Sequence, residues 1–409
     1  MAVRAPVNTQ REIPPLWILA LPTLTFGMLA GFVIVTLPQM LAQQGLSGGR
    51  IAIAVAVIMS PGFWSFLLAP FLDVRFRRRT YAILLGVLTA AAAAWVVLHH
   101  RSVIEVEAVM AIAFLCSMLF ASAMGGWTGS LIEKAQDSHL GAWVTAFNIG
   151  GGGGGILLSG YFTQHFSPSV AAPFLFALLL SPLLVLPLIP APPPDEKLAS
   201  ESFSGFIREI ASLLRRIDVR VSLVMFALPS ASFALTNVLG GWGRDFHADP
   251  ALVNAVGGTG NILAGIVGCS LVPLLAKRLP LRPLYLAIGL IGAAFTLSLL
   301  LMPHAPWTYA LAFLGENVFQ SAAIATCLAI AFEVMGPGNP LAATILSLLI
   351  AVANFPIDYM EVIDGRGYDW HGVAGAFLTD ALVSGTACLL LVLVLRRRLF
   401  GGAVAVEPA

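Results

Sequence analysis

About twelve apolar runs, each long enough to cross a bilayer, leave this chain few ways to fold. They cover roughly residues 15–40, 50–72, 80–98, 106–130, 141–163, 171–190, 220–242, 252–275, 283–302, 307–333, 341–360 and 372–395. A helix needs about 20 apolar residues to span the hydrocarbon core. Inside that core every backbone N–H and C=O must be paired within the protein, so runs of this length become helices packed on one another. Of the 409 residues, 58% are hydrophobic and 11% are charged. Soluble domains carry about 25% charged residues, so a soluble chain of this composition would lack the polar surface to cover its core. The first run is too long for the apolar part of a secretory signal and no small-residue cleavage site follows it, so it is expected to remain as an anchor.

The basic residues fix the orientation expected of these spans. Short loops rich in Lys and Arg stay on the cytoplasmic side. The strongest such loop lies in LLAPFLDVRFRRRT, Leu67 to Thr80, where Arg75, Arg77, Arg78 and Arg79 separate two apolar runs. With twelve spans and both termini cytoplasmic, 18 of the 22 Lys and Arg residues fall on that side, and Arg50, Arg101, Arg244 and Arg366 fall opposite. Adding or removing one helix scrambles this asymmetry. The longest polar connection, Ala191 to Val219, divides the runs six against six. It opens with PPPDEK and places Phe206, Ile210, Leu213 and Leu214 at helical spacing, as in an amphipathic helix on the cytoplasmic surface. The expected domains are a six-helix bundle over residues 1–190, a linker over 191–219 and a second six-helix bundle over 220–409. VPLLAKRLPLRP, Val272 to Pro283, occupies the place in the second half that the arginine loop has in the first, with Ala276 where Asp73 stands. Repeated halves with a site between them are the plan of a secondary transporter. The fold class is therefore an all-α integral membrane protein, with two pseudo-symmetric six-helix bundles.

Glycines 150–155 lie inside the fifth run. No Lys-Ser/Thr follows them as in a phosphate-binding loop, and small residues let helix backbones approach closely in lipid. Close packing against a moving neighbour is the expectation. The four cysteines sit in apolar runs without metal-ligand spacing and read as small core residues.

An ionisable group deep in a span is costly and is a functional candidate for that reason. Two acids stand out, Glu316 in the tenth run and Asp380 in the twelfth; the others are read as lying in loops or at helix ends. Asn317 and Gln320 accompany Glu316, and Gln320, four residues on, shares its helix face. Glu316 is a candidate proton carrier or solute ligand, against the plainer role of a protonated packing residue. Gln39, Ser122, Trp127, Asn148, Asn237, Asn261, Asn354, Asp358 and Tyr359 are further residues that could face a cavity, each weighed against an interhelical hydrogen bond. Trp127 could stack on a solute ring or anchor a helix end at the interface. Asp73 with Arg77 and Arg78 could form a charged latch in one transport state, or simply set topology.

The Asp-x-x-x-Arg-Arg-Arg pattern from Asp73 to Arg79 resembles the loop motif of major facilitator superfamily transporters, with Val74 and Phe76 replacing its usual Arg and Gly. PGFWSFLLAPFLDVRFRRR resembles the second helix and loop of the muropeptide permease (AmpG-like) branch, the peptide/acetyl-coenzyme A transporter family. Gly315-Glu316-Asn317, AATILSLL from Ala342 to Leu349, and GAWVTAFN from Gly141 to Asn148 are similar to its tenth, eleventh and fifth helices. Members of that branch often carry aspartates near the end of helix four, where this chain has Ala121 and Gly125. The resemblance implies muropeptides, siderophores or acyl-coenzyme A compounds as candidate solutes, a bacterial-type inner membrane and a single working chain.

The leading expectation is proton-linked uptake of a medium-sized polar organic solute by rocking of the two halves, with no cofactor, no metal and no nucleic-acid partner. Two other classes compete. A transporter-like sensor or scaffold would bind solute without flux. A membrane-embedded transferase would need a reactive constellation, and His99 and His100 beside Arg101, Glu105 and Glu107 lack metal-ligand spacing. No nucleotide-binding motif supports an ATP-driven pump.

Overall fold

A computed structural model describes residues 14–73, 77–129, 131–132, 137–190, 199–335 and 342–399. These residues are built from helices. The first half contains α1 (Leu16–Gln43), α2 (Gly48–Leu72), α3 (Arg78–Leu98), α4 (Val103–Gly129), α5 (Asp137–His165) and α6 (Pro168–Leu188). A surface helix, Ala199–Leu213, follows. The second half contains α7 in two pieces, Ile217–Ala227 and Leu235–Val238, then α8 (Pro250–Leu275), α9 (Leu281–Leu299) and α10 (Pro306–Met335). One long helical segment, Ala342–Leu399, closes the chain; it reverses at His371 and Gly372, giving α11 (342–370) and α12 (373–399). Gly372 takes φ +61°, a left-handed turn that glycine adopts without a Cβ penalty.

Local sequence explains several boundaries. Ser47 caps α2 by accepting from the Arg50 N–H, and Asp249 caps α8 by accepting from the Leu252 N–H at 2.6 Å, with Pro250 next as the first helical residue. Nine spans are continuous, long and apolar enough to cross a membrane among the described residues, and the longest of them is the α11–α12 pair. Counting that pair as two, with α5 and the broken α7, gives the twelve spans expected.

The apolar core shows where the halves meet. One cluster joins them through Phe32, Val35 and Val55 of the first half and Leu235, Trp242 and Phe313 of the second. Toward the face that carries the arginine loop, the core divides. Leu19, Phe120 and Trp127 pack in the first half, and Met225, Phe226 and Ile330 pack separately in the second. The halves are therefore joined toward the face opposite the basic loop. The surface helix runs beside Ser65–Asp73 of the first half and also touches the α11–α12 segment of the second.

Glycines make the close contacts. A Cβ on Gly152 would meet the Gly27 carbonyl oxygen of α1, and one on Gly153 would fall 2.7 Å from the Gly258 carbonyl oxygen of α8. The glycine run thus packs on α1 within its own half and on α8 across the seam, as the sequence predicts for close packing.

Candidate functional site

Residue chemistry concentrates in two places, the closed end of the seam and the interior of the second bundle. At the closed end, polar side chains stitch the halves together. Gln39 of α1 donates to Asn254 of α8 at 2.9 Å and accepts from Gln164 of α5 at 3.0 Å. Arg244 donates to the Ala42 carbonyl at 3.0 Å, Trp242 to the Gly48 carbonyl at 3.2 Å, and Ser47 to Asp369 at 3.2 Å. Trp242 stacks on Tyr368, whose hydroxyl donates to Asp245 at 2.9 Å. The space left here, between Gln39, Gln43 and Arg244, is about 70 Å³. Solute sites run to about 300–1,000 Å³, so this end is shut.

Three distortions of helix geometry surround the seam. α1 widens into a π-turn at Phe32–Thr36 and α8 does so at Val256–Gly260, and Gly257 lies against Val35. α7 breaks between Ala227 and Leu235, where Phe233 adopts φ +50°. Discontinuous spans of this kind free backbone groups in transporter interiors. The break is held by neighbours. Tyr359 donates to the Ala227 carbonyl at 3.0 Å, Cys388 to the Ser230 carbonyl at 2.8 Å, and Gln320 to Thr236 at 2.7 Å. Phe233 stacks on Phe319.

Behind this break lies a group of buried carboxyls. Glu316 of α10 is fully buried, and its Oε1 accepts from the Thr296 hydroxyl of α9 at 2.5 Å. Its electrostatic neighbour is Asp380 of α12, also buried. Glu316 therefore turns into the second bundle, toward α9 and α12. From the same face of α10, Gln320 reaches α7, and Asn317 donates to its own helix at Phe313.

The sequence reading missed two members. Glu361 and Asp364 lie inside α11, which continues well past residue 360, and both are fully buried. Glu361 Oε1 accepts from Asn237 of α7 at 2.7 Å. Asp364 interacts electrostatically with Asp380, Glu361 and Glu316. The signal was present: Asp358, Glu361 and Asp364 recur every three residues, which places them on one side of a helix. Among the described residues no group of acids, histidines and cysteines is close enough to hold a metal ion.

The sequence matches the family model described as Major Facilitator Superfamily over residues 15–358. The chain belongs to this superfamily. Solved superfamily-like folds agree along nearly the whole length. The D323A mutant of the nucleoside transporter NupG superposes with a TM-score of 0.71 at 13% identity, covering 94% of this chain and 99% of its own. A POT family transporter in complex with 5-aminolevulinic acid gives 0.69 at 14%, covering 94% and 96%. The inward-open xylose transporter XylE from E. coli gives 0.64 at 16%, covering 92% and 94%. At these identities the likeness is one of fold. No curated protein matches the sequence.

The remaining candidates of this superfamily member have definite places. Trp127 is fully buried in the first bundle and its indole N–H donates to the Pro190 carbonyl at 2.9 Å, so it ties α4 to the end of α6. Asn148 is half-buried beside α1, with its Oδ1 unpartnered among the described residues. Asn261, half-buried, follows the π-turn of α8. Asn354 donates across the seam to the Gly62 carbonyl at 3.1 Å, and Phe355 meets Phe63 edge-on beside it. Ser122 is exposed and bonds within its own helix. In the superfamily loop, Arg77 is exposed and the Arg78 guanidinium packs on Gly126 of α4, within the first bundle. The Asp73 side chain lies outside the described residues.

Proposed function

We propose that this chain is a proton-coupled secondary transporter that takes up a medium-sized polar organic solute by alternating access. The moving bodies are the bundles of residues 1–190 and 220–409, linked by residues 191–219, in a single chain whose basic face is cytoplasmic in a bacterial-type inner membrane. The observation that carries the reading is Glu316: a carboxyl held at full burial, with no basic partner among the described residues, inside one half of a molecule whose shared core lies toward one face. An uncompensated acid within a span is costly and is a functional candidate for that reason, here a group that can carry a proton through the cycle. The named neighbours, carriers of nucleosides and xylose and a POT family protein, support a solute of modest size.

Charge narrows the solute class. Every Lys and Arg of the sequence lies in a loop or near the end of a span. A coenzyme A compound, with several phosphate charges, would enter a cleft without cationic partners, which costs desolvation that nothing repays. Muropeptides and siderophores carry fewer charges for their amide, hydroxyl and sugar oxygens than a coenzyme A compound does, which suits the uncharged Asn, Gln and Tyr side chains within the spans. The test is uptake into proteoliposomes of the full-length protein, with anhydromuropeptide, ferric siderophore and acetyl-coenzyme A as probes. One of the first two accumulates under an inward proton gradient and ceases to do so when a protonophore collapses it. Glu316→Gln inserts normally but loses gradient-driven accumulation. Wild-type accumulation by that variant at every external pH would refute the role given to Glu316.

A further inference from the structure

We infer that Glu361, Asp364, Asp380 and Glu316 form a proton relay leading from the seam between the halves into the interior of the second bundle. Geometry supplies the path. Asn354 marks the side of α11 that faces the first half, since it bonds to the Gly62 carbonyl of α2. Glu361 is two helical turns further on and so keeps the same side. It meets Asn237 just beyond the break in α7. Asp364, three residues on along α11, lies within electrostatic reach of Asp380 of α12 and Glu316 of α10, and all three are buried. The carboxyls therefore step inward from the moving boundary to the group on which coupling rests.

Chemistry supplies the occupant. Asp364 is fully buried, with the Thr379 hydroxyl beside its oxygens but outside good hydrogen-bond geometry. The neighbouring hydroxyl, Thr379, donates instead to the Gly375 and Ala376 carbonyls of its own helix. Glu361 Oε2, Asp380 Oδ1, Glu316 Oε2 and the buried Ser384 hydroxyl, one turn beyond Asp380, are unpartnered too. The charge partners of Glu316, Glu361 and Asp364 are other carboxyls, Asp358 included; the bonding groups brought by α7, α9 and α12 are Asn237, Thr296 and Thr379. Uncompensated negative charges at this density would each cost several kcal/mol. A proton on a carboxyl removes its charge and supplies the donor that the next oxygen, or Thr379 Oγ1, lacks. Each hop breaks one O–H bond and makes another. As a neutral Glu361 becomes a carboxylate, Asp364 becomes neutral, and the net charge changes only when a proton leaves for water.

This inference rests on the transporter reading for its purpose, and the measurement does not require a transported solute. Dicyclohexylcarbodiimide adds to protonated carboxyls in apolar surroundings. The full-length protein in nanodiscs is labelled after a jump from acidic to alkaline pH, with or without sodium chloride, and the adducts are mapped by peptide mass spectrometry. In the wild type, Glu361 and Glu316 carry adducts at acidic pH and lose reactivity together after the jump, whatever the sodium concentration. In Asp364→Asn, Glu361 still responds and Glu316 loses its prompt response; Asp380→Asn serves as a second interruption. Absence of adducts on these acids, protection by sodium at constant pH, or an unchanged Glu316 response in both variants would overturn the relay. The wild-type comparison stands even if a variant fails to fold. A responsive relay without flux in proteoliposomes would count against the transport reading alone, and flux with unresponsive acids against the relay alone.

Discussion

Gly153 offers the sharpest test of how the halves meet. It sits on α5 in the first half, and a Cβ built there would lie 2.7 Å from the Gly258 carbonyl oxygen and 2.5 Å from the Ile262 side chain of α8. The isoleucine can rotate away, but the carbonyl belongs to the helix backbone. Ordinary contact begins near 3.4 Å, so Gly153→Ala requires α5 and α8 to separate by about 0.7 Å, the difference between 3.4 and 2.7. Overpacking of this kind costs about 1–3 kcal/mol. The contact crosses the seam, so the cost falls on the conformation that is closed at the face opposite the basic loop. Opening that face relieves it. A bias of about 1–3 kcal/mol shifts the balance between two states about 5–150-fold. Gly152→Ala is the control, because its Cβ would lie 3.7 Å from the Gly27 carbonyl oxygen, an ordinary contact that stays within the first half. The assay is disulfide cross-linking of cysteines placed at Gln43 and Arg244, which border the residual space of the closed end. Gly153→Ala lowers the cross-linked fraction and Gly152→Ala leaves it near the parent value. Equal cross-linking in all three proteins would show that the seam between α5 and α8 does not report closure.

Two further outcomes follow from particular bonds. Asn237→Ala removes the donor to Glu361 and leaves a buried oxygen unpaired, a loss of about 1–3 kcal/mol, read as a lower Tm in detergent; an unchanged Tm would mean that the bond is not held in the folded protein. Burial raises the Asp245 carboxyl above its ordinary value of 3.8, against the opposing effects of the Tyr368 hydroxyl and His304. A raised acid contributes stability that is complete below its ordinary value and is lost as pH rises through the raised one. Thermal stability therefore falls across that interval in the wild type and is flatter in Asp245→Asn, and parallel profiles would contradict the assignment.

The spans were legible because bilayer thickness imposes a length and the basic residues impose an orientation, and neither depends on packing detail. The carboxyl relay was only half legible. Glu361 and Asp364 fall in EVIDGRGYDW, Glu361 to Trp370, which reads as a polar loop after the apolar run ending at Pro356 to Met360. In the fold this stretch continues α11, because Gly365 lets the helix rest against the Gly49 carbonyl of α2, and Glu361 gains Asn237 as a partner. A loop assignment weighs charge. A three-residue spacing of acids with Val362 and Ile363 between them would have argued for a helix. That Glu316 and Gln320 reach different helices was beyond the sequence for a different reason. Four residues advance a helix about 40° past a full turn, enough for one side chain to reach α9 and the other α7 when three helices converge.

Both halves bring glycine backbone to the seam, Gly49 and Gly153 from the first and Gly240 and Gly258 from the second, and the second half adds the buried ionisable groups. Coupling must then pass through elements that touch both. The piece of α7 beyond its break is one such element: Gly240, just after it, packs on the Ile34 carbonyl in the π-turn of α1, and Asn237 within it holds Glu361. Parting the closed face pulls α1 from Gly240 or draws the α7 piece with it. In the second case Asn237 leaves Glu361, whose carboxyl then needs either a proton or water. A span broken at this position converts a movement between bundles into a change in proton affinity at the first carboxyl of the relay, and a continuous α7 would not.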